Sequence, residues 1–417
     1  MNRKTIVSWC LYDFANSFYV ILPAVVWQAY YQRAVVGNET GLGDLWWGWA
    51  ISASMVLVAV TSPWVGAIAN LAGARKRLLV GYTLTSVTAV CLFTTIEKDM
   101  VFAGFLVTVI SYAAFEGAQV FYNAYLPEIA PREYQGRVSG WGFGVGYAGS
   151  LLGLALAYPL VREGWFDAVW VAIATAFFLF ALPSFLYLPH DSAKKVSAWG
   201  AAKAGVNESW RTFREILERP ALRGFLLAYL FYEDGVNTVI YFAAGFATKT
   251  LQFSDTQAIL LFLVVQCSAL IGAFIWSKPT DRLGPKRVVI LMIVQWCLVI
   301  LAAYFVSAPD FPDRTRVFWG VAVLAGTGLG AIQAASRAFM AGLIPKGEEA
   351  RFFGFYALVG KSAAVVGPLL FGGVSRATMG NQRAAISSLL LLFALGGLVL
   401  HRVKAGGPAW RAASPAT

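Results

Sequence analysis

The sequence predicts an all-α membrane protein of twelve transmembrane helices arranged as two pseudo-symmetric six-helix bundles, and three observations carry that prediction. First, 58% of the residues are hydrophobic and only 13% charged, a balance outside the soluble globular range. Second, apolar runs long enough to cross a hydrocarbon core, which takes about 20 residues at helical rise, recur from end to end. Third, polar motifs of the first half return in the second at nearly constant offsets. Backbone amides have no water partners in lipid, so only helices or closed barrels can span it. These runs are too long and continuous for the short alternating strands of a barrel.

In chain order the predicted spans are 6–32, 45–69, 78–96, 101–127, 138–162, 165–188, 222–247, 255–278, 287–307, 316–344, 353–376 and 382–402. Span one follows Arg3-Lys4 and is too long, and too poor in small residues at its end, for a cleaved signal peptide. Spans two and three are joined by a short basic turn, and span four carries polar residues at helical spacing. Span five holds Gly140, Gly142, Gly144, Gly146, Gly149 and Gly153, a series that predicts close helix packing rather than a phosphate loop. After span six comes the one long polar stretch, so the expected organisation is an N-terminal bundle 1–188, a linker 189–220, a C-terminal bundle 221–403 and a tail 404–417. Within the linker Trp210, Phe213, Ile216 and Leu217 predict an amphipathic helix on the membrane surface. Spans seven to twelve repeat the pattern of the first six.

Positive charge sets the expected orientation, because Lys and Arg in short loops stay on the cytoplasmic side. With both termini inside, roughly 23 cations fall in cytoplasmic segments against 8 in the opposite loops. The net charge of +11 therefore reads as topology, and a nucleic-acid partner is not expected. Cys10, Cys91, Cys267 and Cys297 all lie within spans, and His190 and His401 stand near span ends, so neither a disulfide framework nor a metal site is expected. No nucleophile–base pair or nucleotide loop suggests an enzyme, and no cofactor is implied.

Three echoes mark a duplication. Asp13-x-x-Asn16-Ser17 in span one answers Asp234-x-x-Asn237-Thr238 in span seven, an offset of 221. The turn Gly66-x-x-x-Asn70-x-x-Gly73-x-Arg75-Lys76-Arg77 answers Ser277-x-x-x-Asp281-x-x-Gly284-x-Lys286-Arg287, an offset of 211. Leu126-Pro127 answers Ile344-Pro345 at 218. The turn resembles the signature of the major facilitator superfamily, here present twice. In such a turn glycines permit a tight bend and close helix approach, the carboxylate caps a helix start, and the cations ring the cytoplasmic mouth. Asn70 replaces the usual Asp, so Asp281 is expected to make the stronger latch. A closer resemblance, to bacterial relatives of the fungal vacuole effluxers, rests on Tyr12-Asp13-Phe14-Ala15-Asn16-Ser17, Phe121-Tyr122-Asn123-Ala124, Ser139-Gly140-Trp141-Gly142, Asp234-Gly235-Val236, Gln333 with Ser336-Arg337, and Phe353-Gly354-Phe355 with Gly360-Lys361. It implies the fold and, through the fungal members, amino-acid export.

Ionisable groups at membrane depth cost roughly 2.5 to 3.5 kcal/mol each on insertion scales, so they point to function. Asp13, Glu116, Glu233, Asp234, Arg337 and Lys361 are such groups. The resemblance implies that spans one, four, seven and ten line a central cavity, and helical spacing gathers polar faces on them. These are Asp13, Asn16 and Ser17; Tyr112, Glu116, Gln119 and Asn123; Asp234, Asn237, Thr238 and Tyr241; and Gly326, Gly330, Gln333 and Arg337. The expected substrate and proton site is thus Asp13, Asn16, Glu116, Gln119, Asn123, Asp234, Asn237, Gln333, Arg337 and Lys361. Arg337 is expected to pair with Glu116 or Asp234, and Glu116, near mid-depth, to carry a coupling proton. Gly66, Asn70, Gly73, Arg75, Lys76, Asp281, Gly284, Lys286 and Arg287 are the expected cytoplasmic gate. The expectation is a monomeric, proton-coupled secondary transporter of an amino-acid-like solute in the inner membrane. A lipid or lysolipid translocator and a multidrug exporter of the same fold are the rival readings.

Overall fold

The computed structural model describes residues 2–22, 26–37, 42–191 and 198–404; the tail from 405 onward and linker residues 192–197 lie outside them. Among the described residues, ten helices are long and apolar enough to cross a membrane. The two remaining predicted spans are also helical, at Arg3–Leu22 and Pro220–Gly245. These are the two that carry the Asp-x-x-Asn triplets, whose polar side chains dilute the apolar character of the helix around them.

The helices pack in the same pairs in each half. Span one lies chiefly against span six, and span seven against span twelve; spans two and three pack on span four, as spans eight and nine do on span ten. Contacts divide the chain into two compact units. One comprises the chain up to Ile129 with Val145–Thr212 and Ile344–Lys361; the other comprises Ala130–Gly144, Phe213–Leu343 and the chain from Ser362 on. Each unit thus takes the bulk of one half and one segment of the other, and glycine contacts show why. In the first unit a Cβ on Gly66 of span two would stand 2.5 Å from the Ala350 carbonyl oxygen of span eleven. In the second, a Cβ on Gly140 of span five would stand 2.6 Å from the Ser277 Cβ and 2.7 Å from the Ala273 carbonyl oxygen of span eight. Only a missing side chain lets helices approach this closely, where dispersion and backbone contact replace the hydrophobic effect that lipid cannot supply.

Span eleven carries a feature beyond the predicted span, and the linker helix needs one correction. Span eleven is not continuous: it runs as Glu349–Ser362 and Val366–Ala377, with a break between. Pro368 has no N–H to give the Ala364 carbonyl, and its ring crowds that carbonyl, so the helix opens one turn ahead of it. The linker helix forms, at Ala198–Glu218, but Ile216 is buried while Trp210, Phe213 and Leu217 stay exposed, so Ile216 belongs to the opposite face.

Candidate functional site

The predicted site residues fall into two clusters, one in each unit. Asp13, Asn16, Glu116, Gln119, Asn123 and Lys361 belong to the first, and Asp234, Asn237, Gln333 and Arg337 to the second.

In the first cluster Lys361 Nζ donates to Glu116 Oε1 at 2.6 Å, with side-chain exposures of 29% and 14%. Lys361 stands in the last turn of Glu349–Ser362, and that segment belongs to the same unit as span four. Glu116, expected as a partner of Arg337, is therefore held by Lys361. Two charges that would each be costly in a membrane form a neutral pair. Asp13 is buried beside span five, where a Cβ on Gly146 would lie 2.8 Å from Ser17 Oγ and 3.5 Å from the Asp13 carboxyl carbon. Asn16 is 1% exposed, and among the described residues neither its amide nitrogen nor its oxygen has a hydrogen-bond partner. Gln119 and Asn123 are half-buried on span four. Tyr19, buried against span four, hydrogen-bonds Ser111 and stacks on Phe115, which gives the cluster an aromatic wall.

In the second cluster the Asp-x-x-Asn motif meets the broken helix. In an unbroken span eleven the Gly367 N–H would donate to the Ala363 carbonyl. Instead Gly367 N–H donates to Asp234 Oδ2 at 2.9 Å, and Asn237 Nδ2 donates to the Ala363 carbonyl at 2.7 Å. Two side chains of span seven thus stand in for one backbone hydrogen bond of span eleven, satisfying the donor and the acceptor that the break exposes. Asp234 is 2% exposed. The other partner expected for Arg337 is thereby engaged with span eleven. Arg337, 2% exposed, donates from Nε to Ser139 Oγ and from Nη2 to the Ser139 carbonyl, each at 2.9 Å, with its guanidinium 4.0 Å from the Phe143 ring centroid. Gln333 is half-buried one turn before it. Gly326 and Gly330 do not open a path: Cβ atoms there would stand 2.4 Å from the Val265 and 2.0 Å from the Ala269 carbonyl oxygens of span eight.

The basic turns are built alike. Gly73 and Gly284 both take positive φ, +57° and +87°, which the tight bend requires. Lys76 Nζ donates to the Leu188 carbonyl at the end of span six at 2.8 Å, and Lys286 Nζ to the His401 and Val403 carbonyls at the end of span twelve at 3.0 and 2.6 Å. Both lysines therefore close helix C-termini, where orphan carbonyls favour a cation. Arg75 pairs with Glu128 and Asp191 and lies over the Tyr125 ring. Asp281 Oδ1 accepts the Arg137 N–H at 3.0 Å in the first turn of span five, and the Arg137 Nε stands 3.5 Å from Oδ2. Asn70 is half-buried, and Arg287 is exposed.

Sequence reasoning did not single out Ser139 as the partner of Arg337, nor the backbone of Ala363 and Gly367. Pro368 was the available signal for the latter, since a proline inside a span interrupts the hydrogen-bond ladder.

The sequence matches the family described as Vacuole effluxer Atg22 like over residues 130–406, and the Major Facilitator Superfamily over residues 6–233. The MFS-type transporter YxiO of Bacillus subtilis (strain 168) is 29% identical over 416 residues, covering 94% of this chain and 93% of that protein. Autophagy-related protein 22 of Cryptococcus neoformans var. neoformans serotype D is 30% identical over 241 residues, which is 54% of this chain and 44% of that protein. Among solved structures, the human organic anion transporter MFSD10 superposes with a TM-score of 0.73 at 16% identity, covering 96% of this chain and 100% of that one, a likeness of fold.

Proposed function

The chain belongs to the Vacuole effluxer Atg22 like family and to the Major Facilitator Superfamily, and on that premise we propose that this multi-pass secondary transporter carries a small, zwitterionic, amino-acid-like solute together with a proton. The ion pair of Lys361 with Glu116 carries the reading. With Glu116 ionised the pair is closed and neutral. Protonation of Glu116 removes its charge, and the Lys361 ammonium then turns to a substrate carboxylate rather than remain an uncompensated cation in the membrane. Loss of that proton restores the pair and displaces the substrate, so solute and proton travel in one direction. Asp13, Asn16, Gln119 and Asn123, in the same unit as the pair, supply the remaining polar contacts. The bundles 1–188 and 221–403 rock about that site in a monomer of the inner membrane with both termini cytoplasmic. Gly66, Asn70, Gly73, Arg75, Lys76, Asp281, Gly284, Lys286 and Arg287 latch the cytoplasmic side.

The test begins with a thermal-shift screen of the purified protein against amino acids, peptides, sugars and lysolipids, since a ligand of the native state raises its midpoint. Uptake of the ligand so found is then followed in proteoliposomes under an imposed pH gradient. Glu116→Gln is expected to keep ligand binding and lose the response to the gradient. Full gradient-dependent uptake by that variant defeats the proton assignment, and a response to lysolipids alone defeats the solute assignment.

A further inference from the structure

The linker helix Ala198–Glu218 presents two stripes. One faces the protein. Gly205 lies so close to span two that a Cβ there would stand 2.8 Å from the Trp64 ring, and Glu208, Thr212 and Ile216 continue this buried stripe. The other is apolar and exposed: Val206, Trp210, Phe213 and Leu217 follow at helical spacing, Trp210 with 55% of its surface uncovered. Lys203, Arg211 and Arg214 stand exposed beside it. A helix seated on the flank of a membrane span, with an apolar stripe edged by cations, fits the layer where phospholipid headgroups meet acyl chains.

The buried stripe ends in a shared carboxylate. Glu208 Oε1 accepts from Arg211 Nη2 at 2.6 Å and stands 3.7 Å from Arg351 Nη1. Arg211 is largely exposed, whereas Arg351 is 2% exposed in the first turn of Glu349–Ser362. Arg351 also pairs with Glu348 at 2.6 Å and donates to Thr212 Oγ1 at 2.9 Å. One carboxylate is thus divided between a guanidinium open to the surroundings and one enclosed at the root of span eleven.

We propose that the linker helix is a sensor of anionic phospholipid: a headgroup phosphate draws Arg211 off Glu208, and Glu208 then closes on Arg351 and clamps the start of span eleven. Exposed ion pairs are weak and exchange readily, and a phosphate offers the planar guanidinium a two-pronged acceptor. The apolar stripe holds the helix at the depth where that phosphate lies. Lys361 stands on the same helical segment as Arg351, so the clamp bears on the Glu116 pair. Only this last link rests on the function proposed above; lipid sensing itself does not.

The experiment uses the full chain in nanodiscs of phosphatidylcholine, with and without phosphatidylglycerol. Nitroxide labels on Val206→Cys and Trp210→Cys, in protein whose native cysteines are replaced by alanine, are expected to meet dissolved oxygen. A label on Lys203→Cys is expected to meet a water-soluble nickel chelate. Phosphatidylglycerol is expected to raise the unfolding midpoint of the wild type, and Arg211→Gln to forfeit a clear part of that gain, since one cation near the surface is worth roughly fivefold in lipid affinity. Labels at 206 and 210 as open to the chelate as the one at 203 overturn the membrane docking. A full gain in Arg211→Gln overturns the sensor, and an equal gain from inorganic phosphate in neutral nanodiscs overturns the lipid as its ligand.

Discussion

The two asparagines of the repeated triplet should respond in opposite directions to the same substitution. Leucine has the branching and heavy-atom count of asparagine and no polar atoms. Asn237→Leu removes the donor that meets the Ala363 carbonyl at 2.7 Å, and that carbonyl cannot turn to Gly367, whose N–H is engaged by Asp234. An acceptor left unmet at a helix break inside a membrane protein costs about 1–2 kcal/mol. Asn16 is 1% exposed, and its amide has no partner to lose. Asn16→Leu removes a desolvated polar group instead, and should raise stability by about 1 kcal/mol. The assay is thermal unfolding of each variant in one detergent, followed by ligand addition. Asn16→Leu should unfold later than wild type yet gain less from ligand, as the proposed binding role of Asn16 requires. Shifts of the same sign for the two variants would refute the assignment of Asn237 as a structural stitch and Asn16 as an unspent donor.

Other outcomes follow from the same geometry. Glu116→Gln and Lys361→Met should each destabilise the protein by about 2 kcal/mol, between the values for surface and fully buried pairs, and the double variant by less than their sum; additive losses in a double-mutant cycle would dissolve the pair. Gly330→Ala puts a Cβ 2.0 Å from the Ala269 carbonyl oxygen and should cost about 1–3 kcal/mol, whereas Gly320→Ala, with nothing within 4 Å, should be neutral or slightly stabilising. Gly367→Ala would meet Thr238 Oγ1 at 2.0 Å, so its destabilisation should shrink in a Thr238→Ala background, as read from the same melts.

Composition made the spans legible, because crossing lipid leaves the chain almost no alternative to long apolar helices. The duplication was legible through residues with a narrow job, above all the positive-φ glycines at 73 and 284 that make the two tight bends. The pairing of charges was not. Glu116 and Lys361 lie 245 residues apart, and nothing local to either distinguishes Lys361 from Arg337 as its partner. Arg337 instead turns to the side chain and backbone of Ser139, a contact no charge pattern announces. The break in span eleven was masked for a different reason. Its residues are as apolar as those of an intact span, so only the missing N–H of Pro368 betrays it.

The repeat also explains why one half carries a stitch and the other does not. Gly146 and Gly367 are separated by 221 residues, the offset that relates Asp13 to Asp234 and Asn16 to Asn237. Each glycine lies against the triplet of its own unit, Gly146 beside Ser17 and Gly367 beside Thr238. Around Gly146, span five is an unbroken helix from Gln135 to Arg162, its hydrogen bonds are spoken for, and Asn16 finds no carbonyl to meet. Around Gly367 the helix is open, and Asp234 and Asn237 take both loose ends. Matched motifs thus rest in unmatched states.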